Sequence, residues 1–211
     1  ANSSVIVHAL PVVSVNSGSI CAGNSFVINP TGALSYTVAG GSLTVSPSST
    51  TSYSVSGTSS VGCISNSVSS TVSVSALPVI SVNSGSICAG KAFTITATGA
   101  ASYAVSGNTM VVSPSTTSNY TVTGTSSVGC NSSNTVVATV TVNQLPTVSV
   151  NSGTICAGNV FTINPTGAAS YTVAGGSLTV SPSSNSTYTV IGSSSVGCVN
   201  ASPVTASVTV N

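Results

Sequence analysis

The chain repeats itself almost three times, and an internal repeat of this length decides what it can fold into. The run LPVVSVNSGSICAG begins at Leu10, returns as LPVISVNSGSICAG at Leu77 and again as LPTVSVNSGTICAG at Leu145, in steps of 67 and 68 residues. The six cysteines follow the same period in two series: Cys21, Cys88, Cys156 and Cys63, Cys130, Cys198. The three Phe and six Tyr also fall into triplets: Phe26, Phe93, Phe161; Tyr36, Tyr103, Tyr171; Tyr53, Tyr120, Tyr188. Bulky residues kept only at equivalent positions are most simply core residues of each unit, and that reading is preferred to a ligand platform.

Each unit reads as all-β. In the first, strands are expected over 12–16, 26–29, 35–39, 42–46, 51–56 and 68–75. Between them stand turn signals: Asn16-Ser17-Gly18, Asn29-Pro30-Thr31-Gly32, Gly40-Gly41, Ser46-Pro47 and Val61-Gly62. Alternation such as Val72-Ser73-Val74 turns one apolar face inward. Val and Thr, stiff at χ1, suit a pleated sheet, and no window carries a useful helical period. Six or seven short strands per unit make a small Greek-key β-sandwich. The expected organisation is three such domains, 9–75, 76–142 and 143–211.

Residues 1–8 stand outside that count. Ser3-Ser4-Val5-Ile6-Val7-His8 aligns with Ser70-Thr71-Val72-Ser73-Val74-Ser75, so 1–8 reads as the last strand of a preceding unit. The third unit already carries its own last strand from Val204 on. The extra strand, with Val5, Ile6 and Val7 at its centre, therefore belongs to a longer array or docks on a neighbouring subunit by strand addition.

Composition narrows the chemistry. The chain has no Asp, no Glu and no Arg; its one formally charged side chain is Lys91, and its one His is His8. A Ser-His-Asp triad and a carboxylate calcium site lack their acids. The basic patch that dominates nucleic-acid affinity is missing. No run is long and apolar enough to span a membrane as a helix, and the start at Ala1 shows no signal-peptide pattern, so the sequence reads as a mature or excised segment. A Ser-His pair built on His8 is the residual catalytic option; His8 stands where Ser75 and Asn143 stand in the other units, so no enzyme is expected. Lys91 takes the place of Asn24 and Asn159 and reads as an exposed loop substitution. Neither metal nor cofactor is expected. Surfaces near zero net charge tend to associate, so self-association is. Asn2, Asn119, Asn131, Asn185 and Asn200 open N-x-S/T triplets, a weak signal for glycans in so Ser-rich a chain.

The pattern ICAGxxFTI…TGAxSYxV…YTVTGTSSVGC…TVTV resembles the Ig-like (polycystic-kidney-disease-like) tandem repeats of large secreted surface and adhesin proteins of Bacteroidota. The most specific pieces are Ile20-Cys21-Ala22-Gly23, Thr121-Val122-Thr123-Gly124-Thr125 and Val128-Gly129-Cys130, and the likeness covers the chain three times over. The chain departs from that family at Val38, Val105 and Val173, where a Trp is frequent, and at Val61, Val128 and Val196, where Asp or Asn usually precedes Gly-Cys. The resemblance implies an exported, oxidised, structural or adhesive protein with Ig-like sandwich domains. It supplies no active site.

Six regularly spaced cysteines in such a chain read as disulfides. Pairing within each unit would give Cys21–Cys63, Cys88–Cys130 and Cys156–Cys198. Topology favours another pattern. The first strand ends at the distal pole, beside Cys21, whereas the hairpin holding Cys63 lies at the proximal pole. A sandwich strand spans on the order of 20–25 Å, and bonded cysteines need Cα atoms within about 7 Å. The preferred pairs are therefore Cys21–Cys130 and Cys88–Cys198, with Cys63 and Cys156 reaching the units before and after. The expected function is a structural subunit or segment of an extracellular filament, at or beyond the cell surface, polymerising end to end and bundling laterally. The alternatives are the stalk of an adhesin whose binding tip lies elsewhere, and an ice- or polysaccharide-binding β-module using the Thr121, Thr123, Thr125 rank.

Overall fold

A computed structural model describes residues 3–211. The described residues contain strands and turns and no helix. In the first repeat the strands are β1 (Gly18–Cys21), β2 (Phe26–Val27), β3 (Ser35–Val38), β4 (Thr44–Val45), β5 (Thr51–Thr58) and β6 (Val68–Ser75). They form a four-stranded sheet, β1-β6-β5-β3, and a two-stranded sheet, β2-β4. The pattern recurs: Gly85–Cys88, Val136–Asn143, Ser118–Thr125 and Ser102–Val105 make the second four-stranded sheet. Gly153–Ile155, Val204–Val210, Ser186–Ser193 and Ser170–Val173 make the third. The chain is thus an all-β series of Ig-like sandwich repeats.

The alternation in the sequence explains which face is inward. Along β5 and β6, Val55, Ser70 and Val72 are fully buried while Ser54 and Ser69 face solvent. Ile28, Val38 and Val55 make the centre of the first core, with Phe26, Tyr36 and Tyr53 packed against it. Ile163, Val173, Val190 and Ala206 do the same in the third, against Phe161, Tyr171 and Tyr188. At Gly57, an added Cβ would lie 2.5 Å from the Ala33 methyl and 2.7 Å from Val13 Cγ2, so a side chain is sterically excluded there. Gly124 and Gly192 are in the same position in their repeats.

One sequence expectation changes. The segment 12–16, expected as a full strand, forms only a single bridge, Ser14 to Thr31. The strand lies further on, at β1, where a turn was expected, and it runs parallel to β6 with Gly18 opposite Val72 and Cys21 opposite Ser75. The physical cause is Asn16. Its side-chain amide donates to Val27 O at 3.0 Å and its oxygen accepts from Asn29 N at 2.7 Å, while Ser70 Oγ donates to Asn16 O at 2.7 Å. Asn16 thus holds β2 of one sheet through its side chain and β6 of the other through its carbonyl, and the chain crosses between the sheets there. Asn83 and Asn151 repeat both side-chain contacts, but Ala138 and Ala206 stand where Ser70 stands, so the hydroxyl bond belongs to the first repeat.

Backbone contacts gather into two compact units, and the division runs through the second repeat. One holds the described residues through Ser81 together with Thr98–Ala104 and Thr123–Thr135; the other holds Val82–Ala97, Val105–Val122 and Val136–Asn211.

Candidate functional site

Two local structures present the cysteines. The first is the turn that follows β1. Pairing with β6 continues past the strand, Ala22 N donating to Ser75 O at 2.9 Å, and Asn24 N then folds back onto Cys21 O at 3.0 Å. Gly23 takes φ +88° there, a left-handed conformation costly to residues with a Cβ. Lys91 N to Cys88 O and Asn159 N to Cys156 O, both 3.0 Å, rebuild this turn in the other repeats.

The second is the hairpin Ser59–Cys63 between β5 and β6. Ser59 N donates to Cys63 O at 2.9 Å, and Cys63 N donates to Ser59 Oγ at 3.1 Å, so one serine closes the loop from both sides. Ser126 with Cys130 and Ser194 with Cys198 repeat the closure. Behind the loop, Ser65 Oγ accepts from Gly57 N at 2.9 Å. Ser132 does so in the second repeat, and Asn200 in the third.

The two structures meet across repeats. Cys21 is bonded to Cys130 and Cys88 to Cys198, each with a Cα separation of 5.6 Å. Each bond lies inside one compact unit. A turn cysteine bonds a hairpin cysteine of the following repeat both times. Within-repeat pairs Cys21–Cys63, Cys88–Cys130 and Cys156–Cys198 are not formed; Cys63 and Cys156 are free thiols. Beside Cys21–Cys130, a small cleft is lined by Ile20, Ser75 and Val128. Beside Cys88–Cys198, a cleft of about 390 Å³ takes in Lys91, Leu145 and Asn200.

Val5, Ile6 and Val7 belong to no strand and are exposed at 84%, 75% and 89%. His8 is exposed in the same segment. Among the glycan triplets, Asn200 is buried, and its side chain is committed to Gly192 N and Ser202 O. Asn185 Oδ1 accepts from Val210 N, and Asn119 and Asn131 accept from threonine hydroxyls. Asn2 lies outside the described residues. Thr121, Thr123 and Thr125 share one face of their strand, but the third repeat puts Ile191 between Thr189 and Ser193, so that rank of hydroxyls is not continued. Among the described residues, no three His, Cys, Asp or Glu side chains gather to hold a metal, and no buried side-chain nitrogen or oxygen lacks a hydrogen-bond partner. No helix is long and apolar enough to cross a membrane.

Sequence reasoning missed the strand character of Gly18–Cys21. The signal was Gly18 itself: a Cβ there would meet the Phe26 ring at 2.6 Å, so the glycine marks a strand packed against an aromatic ring and not only a turn.

No protein-family model matches this chain, and no curated protein does. Solved structures superpose on it at low identity. One concerns host-cell-surface retention of a 1.5-MDa bacterial ice-binding adhesin: 18% identity, TM-score 0.37, covering 97% of this chain and 99% of that one. A second is a Ca2+-stabilised adhesin of an Antarctic bacterium: 16%, TM-score 0.39, covering 96% of this chain and 74% of that one. A third is mouse cadherin-23 EC22–24: 11%, TM-score 0.31, covering 96% of this chain and 99% of that one.

Proposed function

We propose that this chain is a structural segment of an extracellular filament built from end-to-end Ig-like domains stapled by disulfides. The units are 9–75, 76–142 and 143–211, and residues 1–8 act as the last strand of a preceding unit. One observation carries the reading: both disulfides join a repeat to the next repeat, and none closes within a repeat. A bond placed that way adds nothing to a single domain's own closure. It fixes the joint between neighbours.

Composition supports the same reading. Lys91 is the only formally charged side chain, so salt bridges, carboxylate calcium links and lysine–asparagine cross-links that use a catalytic acid are closed to this array. Strand pairing, Val-rich cores and disulfides are what remain. Persistent disulfides belong to oxidising surroundings, which supports an extracellular setting for the segment. The chain catalyses nothing in this reading, and its partner is more of itself.

Negative-stain or cryo-electron microscopy of the oxidised chain tests the proposal. Regular polymers with domains running without a break past both ends support it. Isolated single rods at every concentration would refute polymerisation and favour the adhesin-stalk reading.

A further inference from the structure

We infer that Cys156 of one copy bonds Cys63 of a second copy, head to tail, reproducing between chains the bond that the chain makes twice inside itself. The inference rests on the filament reading and names its joint.

Equivalence of local structure comes first. Cys156 sits in the same turn as Cys21 and Cys88, closed by the same 3.0 Å hydrogen bond. Cys63 sits in the same serine-closed hairpin as Cys130 and Cys198. Both thiols are therefore already held as their bonded counterparts are.

Burial supplies an independent observation. Cys130 and Cys198 are each only 1% exposed, but Cys63 is half-buried. Cys21 and Cys88 are half-buried, but Cys156 is exposed. Each free cysteine is more open than its bonded equivalents, as it must be when the surface that covers those equivalents is missing. At the Cys21–Cys130 bond, Val128 lines a cleft together with Ile20 and Ser75. Val61 stands at the same place beside Cys63. The same contacts would set Val61 of one copy against Ile155 and Asn211 of the other.

The pairing is directional. In both observed bonds a turn cysteine meets a hairpin cysteine, never its own kind. Cys156 is a free turn thiol and Cys63 a free hairpin thiol, so the two ends of the chain are complementary and neither is self-complementary. Such a heterologous contact propagates instead of stopping at a dimer. In the bond-forming step the two sulfurs join. Their two protons and two electrons pass to a disulfide oxidant, either a small-molecule disulfide or a thiol–disulfide oxidoreductase, which leaves as two thiols.

The test uses the full chain, oxidised in a glutathione redox buffer and run on non-reducing gels. Wild type is expected to give a ladder that reduction collapses to monomer. Cys63→Ser alone and Cys156→Ser alone are each expected to lose the ladder, while an equal mixture of the two stops at a dimer carrying a Cys156–Cys63 linked peptide. Peptide mapping of Cys21–Cys130 and Cys88–Cys198 in each variant shows that the rest of the chain is intact. Homodimers of either variant forming as readily as the mixed dimer would overturn the inference, as would a mixture that yields no dimer. A Cys63→Ser/Cys156→Ser double variant separates the two readings. If it still forms regular filaments while the linked peptide is absent from wild type, the bond is refuted and the filament stands. If the linked peptide forms but microscopy shows no regular polymer, the bond stands and the filament falls.

Discussion

Ser3–His8 and Ser70–Ser75 carry nearly the same pattern and meet opposite fates. Val72 is fully buried, paired to β5 on one side and β1 on the other. Val5, its equivalent, is 84% exposed and belongs to no strand. β-propensity is therefore not what makes this strand. Partner strands supply the ladder and the second face of the core, and a segment with the right residues but no partners stays out of the sheet. Cys63 against Cys130 teaches the same lesson in covalent terms: one hairpin, bonded only where a neighbouring repeat reaches it.

The largest effect should come from putting a charge into each member of the strand pair. Val72→Asp buries an unpaired carboxylate at a site with no exposure, and about 4 kcal/mol or more of stability is expected to go. Val5→Asp should leave the thermal unfolding of the isolated chain unchanged. Equal losses in the two variants would show that Val5 already packs in this chain.

Next comes the cysteine pair. Cys198→Ser opens a loop of sequence separation 110 and is expected to cost about 2–4 kcal/mol in denaturant unfolding. Cys63→Ser, with no bond to lose, should stay within about 0.5 kcal/mol. A smaller step is Gly124→Ala, whose methyl would lie 2.5 Å from Ile80 Cγ2; about 1–3 kcal/mol of overpacking is expected, read as a lowered melting temperature.

The smallest effect is the response to acid. With no Asp or Glu side chain to protonate, the folded and unfolded states take up nearly equal numbers of protons between roughly pH 3 and 6, so the slope of stability with pH is close to zero there. A melting temperature that falls steeply across that interval would show a titrating group coupled to folding.

Much of the fold was legible because the signals were local. Tyr53, Val55, Val72 and the Gly-rich turns state period and punctuation directly, and three copies of each removed accidental matches. What escaped was the crossing at Asn16. Its meaning depends on where Val27, Asn29 and Ser70 stand in space, and no neighbour in sequence announces them. Cysteine placement was readable from strand direction, because alternate poles follow from counting strands. Val61 and Val128, which flank the hairpin cysteines, read in sequence only as apolar residues where polar ones are usual.

The two bridges interlock along the chain, since Cys88 lies inside the loop closed by Cys21–Cys130 and Cys130 lies inside the loop closed by Cys88–Cys198. Under tension the covalent line does not follow the sequence. It crosses from Cys21 to Cys130, returns backwards along the chain to Cys88, and crosses again to Cys198. Only the stretch between Cys88 and Cys130 can be drawn out between those outer cysteines, so complete loss of folded structure would lengthen that span by a fraction of what the unbridged polypeptide allows. The same interlock means that a single backbone cut anywhere from 22 to 197 releases no fragment. The span from Cys21 to Cys198 lengthens little even after its folded structure has given way.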